Sequence, residues 1–258
     1  QALAQHRDHR CRKSEAELAK SLEGDYRCEN VFALRQAVEL YDTYTQKLRE
    51  CDQEIKQQLE QFQPRVNLED CPLPAATRPS AIRPKNGPST DLRPSLYQMA
   101  GVDLTQSEGL NILTVQTILS EIGTDMNKWP TVKHFTSWLG LSPNNAKTGG
   151  KIVRSQTKKT DSRANLAFRQ AATTLGHSKS ALGNFYRRMK AKLGTPKAVV
   201  ATAHKLARIV YHLLKTGVDY LAQPPEQEDA QYRKRALRNL QRKATKLGAK
   251  LVLESNAA

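Results

Sequence analysis

The clearest hydrophobic pattern in the chain is a seven-residue repeat between residues 30 and 62. Apolar or aromatic side chains recur every seven positions, and a second set falls three residues after each of the first three: Leu34, Tyr41, Leu48, Ile55 and Phe62, with Ala37, Tyr44 and Cys51. This spacing is typical of the buried seam of a coiled-coil helix. Asn30 is the predicted N-cap of that helix, and Pro64 is predicted to end it.

The seam needs a partner, because apolar side chains gain free energy when they leave water. Two partners are open: a preceding helix around residues 13–22, or the same helix of a second subunit. We favour a helical hairpin that acts as a spacer or assembles a homo-oligomer, either a dimer or a tetramer.

The composition changes between Phe62 and Tyr97. This stretch has no other aromatic residue, and it contains seven of the twelve prolines: Pro64, Pro72, Pro74, Pro79, Pro84, Pro88 and Pro94. Such a composition predicts an extended linker. It divides the chain into residues 1–63 (coiled-coil or assembly region), 64–95 (Pro-rich linker), 96–222 (compact helical domain) and 223–258 (basic C-terminal helix).

Beyond residue 96 the apolar spacing is helical. It predicts helices at residues 112–122, 131–139, 162–176, 180–193, 196–215 and 229–247. Residues 141–161 break the pattern, because their Gly, Asn and alternating β-branched residues favour a loop or short hairpin. The predicted fold class is all-α, and the domain opens with a helix-hairpin-helix-like segment.

The formal net charge of +16 is distributed unevenly. Residues 146–215 contain sixteen Lys and Arg residues and one acid, Asp161. Charge of one sign favours nucleic acid as a partner, because each neutralised phosphate releases counterions. No apolar run is long enough for a membrane span, so we expect no membrane partner.

Metal chemistry is not expected in this chain. Its four cysteines and six histidines lack ligand spacing, and the acids of the C-terminal region are scattered. Hydroxyls crowd the basic loop instead: Thr148, Ser155, Thr157, Thr160 and Ser162. A hydroxyl beside glycines and cations has the chemistry of a phosphoryl-transfer nucleophile.

Four ordered blocks carry a family resemblance. They read WLGLSPNNAKTGGK (138–151), RANLAFRQAA (163–172), SALGNFYRRMKAKLG (180–194) and TAHKLARIVY (202–211). Over residues 96–250 the chain resembles the C-terminal domain of the DEDD insertion-sequence transposases, the bridge-RNA-guided recombinases related to the Piv invertase. FALRQAVELYD (32–42) resembles their coiled-coil region.

The resemblance implies a two-part active site. An N-terminal RNase H-like domain would hold Mg²⁺ with an acidic tetrad, and the C-terminal domain would supply a serine nucleophile. It also implies a structured guide RNA that pairs with DNA, several subunits in the synaptic complex, and a cytoplasmic, nucleoid-associated protein of a prokaryote.

The chain departs from this pattern in three places. The RNase H-like domain is missing, which agrees with a C-terminal part of something longer that begins at Gln1. Thr148 stands at the serine position, and its branched Cβ restricts χ1 and adds a methyl beside the hydroxyl. Gly109, Leu110 and Asn111 replace the Gly-x-Gly of related hairpins.

We therefore predict the C-terminal part of an RNA-guided DNA transposase, without a cofactor in this chain and inactive alone. The alternative is a non-catalytic nucleic-acid-binding or assembly remnant. Thr148 is the candidate nucleophile, with Lys147, Lys151 and Arg154 as charge stabilisers. The predicted nucleic-acid-binding residues are Lys147, Gly149, Gly150, Lys151, Arg154, Lys158, Lys159, Arg163, Arg169, Arg187, Arg188, Lys205 and Arg208.

Overall fold

The structure is a computed structural model that describes residues 2–24, 26–78, 87–221 and 224–250. The side chains of residues 154, 225, 228 and 229 also lie outside the description. The chain divides into two units, residues 1–52 and 53–258. The predicted linker residues Pro79 and Pro84 fall outside the described residues.

The first unit contains two short helices and most of a long one. They are α1 (Ala2–Gln5), α2 (Glu15–Ser21) and α3 (Cys28–Glu60), the last of which continues into the second unit. Ser14 and Glu17 form a capping box at the start of α2. Asn30 is not an N-cap, because α3 already begins at Cys28 and Asn30 lies in its first turn.

The seam of α3 is exposed along the first unit. Leu34, Tyr41 and Leu48 expose 65%, 70% and 65% of their surface. The preceding helix α2 therefore leaves these side chains uncovered. At the C-terminal end of α3, Ile55 and Leu59 are partly buried and pack on the core of the second unit.

The second unit is built from helices and one small sheet. Its elements are α4 (Arg93–Ala100), α5 (Ile112–Ile122), α6 (Val132–Trp138), β1 (Pro143–Thr148), β2 (Lys151–Thr157), α7 (Arg163–Thr174), α8 (Ala181–Leu193), α9 (Thr195–Thr216) and α10 (Pro225–Lys246). Short 3₁₀ turns lie at Leu104–Gln106, Met126–Lys128 and Leu175–His177. The largely helical fold class and the predicted hairpin are both confirmed.

Local sequence explains where these helices begin and end. Asn111, Ser162 and Ser180 cap α5, α7 and α8, each accepting a backbone N–H with its side-chain oxygen. Pro196 occupies the first turn of α9, and Gly217 ends that helix in the left-handed conformation with φ 66°.

The core surrounds α9, which packs against α7 and α8. Phe135, Phe168 and Leu206 are fully buried, and Tyr211 is 2% exposed. The Tyr211 hydroxyl donates to the Trp129 carbonyl at 2.8 Å, so the buried polar end of this ring is satisfied. Among the described residues, no helix is long and apolar enough to cross a membrane.

The described linker residues form no helix or strand before α4, but their ends are bonded to the domain. Arg78 donates to the carbonyls of Thr105 and Ser107 at 2.9 and 2.5 Å. Arg93 forms a buried ion pair with Asp103 at 2.6 Å, and the same guanidinium nitrogen donates to the Pro74 carbonyl. These bonds hold the linker against the start of the domain.

Candidate nucleic-acid interface

The predicted nucleophile lies at the tip of the β1–β2 hairpin. Thr148 ends β1 and pairs with Lys151, which begins β2. Gly149 and Gly150 form the turn with φ of 56° and 76°. A type I′ turn requires positive φ at both central positions, which glycine adopts without strain. Thr148, Lys147 and Lys151 are all exposed.

Strand register decides which cation lies beside the Thr148 side chain. Directly opposed residues of an antiparallel pair share a face, so Lys151 lies on the face of Thr148. Lys147 is opposed to Ile152, and consecutive strand residues point to opposite faces, so Lys147 lies on the other face. The side chain of Arg154 lies outside the described part of the chain.

The hydroxyl of Thr148 is the group that would act as the nucleophile. No described residue makes a hydrogen bond with its hydroxyl. Nor do the described residues contain a group of three His, Cys, Asp or Glu side chains that could hold a metal ion. The described residues thus offer a hydroxyl and a neighbouring cation, without a general base or a ligand set for Mg²⁺.

A second group of predicted residues lies at the base of the hairpin. Lys158, Lys159 and Arg169 line a pocket of about 300 Å³, which we call the hairpin-base pocket. Its wall includes Asn165, a buried residue of α7 that donates from Nδ2 to the Leu139 carbonyl at 2.6 Å. This bond fixes α7 against the segment that leads into β1.

Close packing of Gly140 shapes the same pocket. Gly140 has φ 69°, and a Cβ there would lie 2.6 Å from Cγ2 of Thr160. A larger residue would therefore push the segment after β2 away from the segment before β1. Glycine at this position lets the two segments meet and close the hairpin-base pocket.

A third group lines a pocket between α8, α9 and α10, with a volume of about 430 Å³. We call it the three-helix pocket. Its lining residues are Phe185, Arg188, Met189, Ala201, His204, Lys205, Arg208, Gln231, Tyr232 and Arg235. The Arg188 guanidinium lies 4.7 Å from the centre of the Tyr232 ring, and Lys205 Nζ lies 4.6 Å from the centre of the Phe185 ring. Both are cation–π contacts.

His204 is the titratable group of the three-helix pocket near neutral pH. Partial burial lowers the pKa of its imidazole, because desolvation disfavours the charged form, and the positive charge of Arg208 lowers that pKa further. His204 is therefore mostly neutral at pH 7.

Two predicted residues do not join these groups. Arg163 forms an ion pair with Glu121 of α5 at 3.1 Å. Arg187 donates to the carbonyl of Gly176, inside the 3₁₀ turn before α8, and to that of Ser178, the residue that follows the turn. Both guanidinium groups are exposed, but these bonds give them a local structural role.

Residues 102–187 match the model of the family described as Transposase IS116/IS110/IS902 family. The match supports an IS110-type transposase domain. The matched segment covers about a third of the chain and includes the hairpin, Lys158, Lys159 and Arg169. Arg188, Lys205 and Arg208 follow it. No curated protein matches the chain.

The match supports the resemblance at the level of the family. The bridge RNA, the relation to the Piv invertase and the role of Thr148 stay predictions. So do the domain boundaries at residues 63, 95 and 222.

Sequence reasoning missed seven of the ten residues that line the three-helix pocket. Phe185, His204, Tyr232 and Arg235 line it but were not predicted to bind nucleic acid. A signal was present in the helical spacing, since residues 201, 204, 205 and 208 share one face of α9. What the spacing could not show is that the faces of α8 and α10 meet it.

Proposed function

We propose that this chain binds nucleic-acid backbone with its basic surface and supplies the Thr148 hydroxyl for DNA strand cleavage and exchange. The observation that carries the proposal is the family match over residues 102–187, which contains an exposed hairpin with Thr148 at its tip. A transposase domain implies interaction with DNA and a part in transposition or recombination.

In the proposed chemistry, Oγ1 of Thr148 attacks the phosphorus of a scissile phosphodiester and loses its proton, and a sugar oxygen leaves. Lys151 is on the same strand face as Thr148, where its ammonium group can stabilise charge on the phosphate oxygens. In the proposed chemistry, the base that accepts the hydroxyl proton belongs to the RNase H-like domain, which completes the active site in the family resemblance.

The remaining parts of the proposal concern partners. In keeping with the family resemblance, an RNase H-like domain would hold Mg²⁺. A structured guide RNA would select the DNA, and subunits would assemble through the exposed seam of α3. This chain alone is expected to bind DNA without cutting it.

The test is detection of a covalent protein–DNA adduct on a denaturing gel. The chain would be combined with an RNase H-like domain of this family and its guide RNA, as the parent, Thr148→Ser and Thr148→Ala. A methyl that displaces χ1 costs about 0.5–1.5 kcal/mol. We therefore expect the serine variant to form the adduct about 2 to 12 times faster than the parent, and the alanine variant to form none.

An alanine variant as active as the parent would show that Thr148 is an ordinary loop residue.

One observation favours the second candidate function, a non-catalytic nucleic-acid-binding remnant. It is the presence of threonine where the family resemblance expects serine. That candidate predicts no adduct from the parent or either variant, with DNA binding unchanged in all three.

A further inference from the structure

The three-helix pocket has the features of a site for a single anionic group. We propose that it binds one phosphate group of a nucleic-acid backbone. This inference rests on the nucleic-acid binding proposed above but adds a specific site, most of which lies beyond the matched segment. The pocket is concave and is walled by three helices, unlike the exposed hairpin tip.

The charge of the lining supports an anion. Arg188, Lys205, Arg208 and Arg235 bring four cationic side chains to one pocket, and none of its described lining residues is acidic. Arg208 and Arg235 are exposed and form no ion pair with any described residue. Arg208 and Arg235 therefore contribute positive potential to a concave site, which phosphate oxygens would neutralise.

Two rings position the cations before an anion arrives. Phe185 holds the ammonium group of Lys205, and Tyr232 holds the guanidinium group of Arg188. Long cationic side chains lose rotamer freedom when they bind a ligand, and a side chain already held on a ring loses less. The volume of about 430 Å³ also accommodates more than a bare anion, such as a phosphate with its sugar.

The position of the pocket favours a polymer over a free phosphate. Val200 lines the hairpin-base pocket, and Ala201, the next residue of α9, lines the three-helix pocket. Two pockets, each lined by more cations than acids, therefore lie beside the same turn of α9. A strand that crosses this turn can place one phosphate in each pocket, whereas a single small anion can occupy one.

The pKa of His204 should change when a phosphate occupies the three-helix pocket. Among the described residues, the charged or titratable groups that line the pocket with it are Arg188 from α8, Lys205 and Arg208 from α9, and Tyr232 and Arg235 from α10. A bound phosphate offsets these positive charges and favours the imidazolium form. Binding therefore takes up a proton, and affinity for the phosphate rises as the pH falls through the range in which His204 titrates.

The test follows the His204 ring by NMR in the full chain, with His204→Gln to identify its signals among the six histidines. Titrations are run with no addition, with inorganic phosphate and with a short DNA duplex. We expect DNA to move the pKa of His204 upward by about one pH unit. Inorganic phosphate should produce a smaller rise at millimolar concentration.

Three variants distinguish binding in the three-helix pocket from attraction by the overall positive charge of the surface. Ala201→Met fills the pocket without changing charge and should abolish the upward movement. Arg208→Gln should reduce the slope of log affinity against log salt by about one, the loss of one phosphate contact. Lys192→Gln removes an exposed cation of α8 that does not line the pocket, and it should leave the DNA-induced movement intact.

Failure of this inference differs from failure of the proposed function. If DNA binds with salt sensitivity and the His204 titration stays fixed, or moves equally in Ala201→Met, the pocket proposal is wrong and nucleic-acid binding stands. A response to inorganic phosphate without one to DNA overturns the nucleic-acid source. If DNA does not bind at all, both proposals are wrong.

Discussion

Asp103 is the residue on which the junction between the linker and the domain depends. Its side chain is 2% exposed and pairs with Arg93, which is 7% exposed. Oδ1 of Asp103 also accepts from the backbone N–H and the hydroxyl of Thr105, at 3.0 and 2.6 Å. Burial of this pair costs the desolvation free energy of two charges, and the ion pair and its hydrogen bonds offset that cost.

Replacing Asp103 with Asn should destabilise the second unit by about 3–5 kcal/mol, because Arg93 would keep its charge in a buried site without a counter-charge. Urea unfolding followed by tryptophan fluorescence, which comes from the buried Trp129 and from Trp138 in the same unit, measures this change. The matched control is Glu121→Gln, which breaks the exposed pair with Arg163 and should cost at most about 1 kcal/mol. Equal losses of stability in the two variants would contradict the role of Asp103 as the counter-charge of buried Arg93.

At the residue scale, the sequence predicted the tip of the hairpin better than the roles of single cations. Gly149 and Gly150 pointed to the turn, because few residues besides glycine adopt positive φ. The structural roles of Arg163 and Arg187 could not be predicted in the same way. Arg163 pairs with Glu121, which lies 42 residues away, and such a contact exists only after α5 and α7 have packed.

At the scale of elements, apolar spacing predicted the helices closely. The 112–122 prediction coincides with α5, because an asparagine cap and a glycine stop bound its apolar stripe. The start of α3 was wrong by two or three residues, because Asn30 is a plausible cap that the folded chain does not use. Helix ends are the least sharply defined part of a helix, so a single cap residue in the sequence does not fix the start.

The exposed seam of the long helix α3 can be tested at Leu48. Replacing Leu48 with Glu places a charge in the exposed seam, where the side chain is 65% exposed in the single chain. We expect the proposed oligomer to dissociate to monomer in light scattering, because a charge in a coiled-coil seam lacks a partner when two helices meet. Helix content by circular dichroism should fall by a smaller fraction than the molecular mass of the assembly. Leu48 is not covered by α2, so its replacement removes little packing within the single chain.

The control for Leu48→Glu is Gln57→Glu, which adds the same charge to an exposed position outside the seam. It should leave the mass of the assembly unchanged. If Leu48→Glu behaves like this control, the seam does not mediate assembly and α3 has another partner.

For the whole molecule, the distribution of charge predicts how the affinity for DNA depends on salt. The net charge of +16 is concentrated in residues 146–215, which span the hairpin, the hairpin-base pocket and much of the three-helix pocket. Each phosphate that is neutralised contributes about 0.9 to the slope of log affinity against log salt on duplex DNA. Contacts at all three places therefore predict a steep slope.

We expect the affinity for duplex DNA to fall at least a hundredfold, on the order of three or more neutralised phosphates, between 50 and 500 mM salt, with little dependence on sequence. Fluorescence anisotropy with two unrelated duplexes measures both properties. The chain without residues 1–52, which form the separate first unit, is the matched comparison and should keep the slope. A flat plot would rule out backbone contacts as the source of affinity.

The exposure of the β1–β2 hairpin has a thermodynamic consequence. Ile152 and Val153 are 56% and 70% exposed, and every residue of β1 is exposed, so neither face of the ribbon is covered. A two-stranded ribbon in water is marginally stable by itself. Part of the interaction energy with a docked strand must then go into restricting the backbone of the hairpin. Ordering the hairpin would thus position Thr148 for reaction but lower the net affinity for the substrate. A weakly bound substrate would leave the hairpin unordered and the Thr148 hydroxyl out of line with the phosphate.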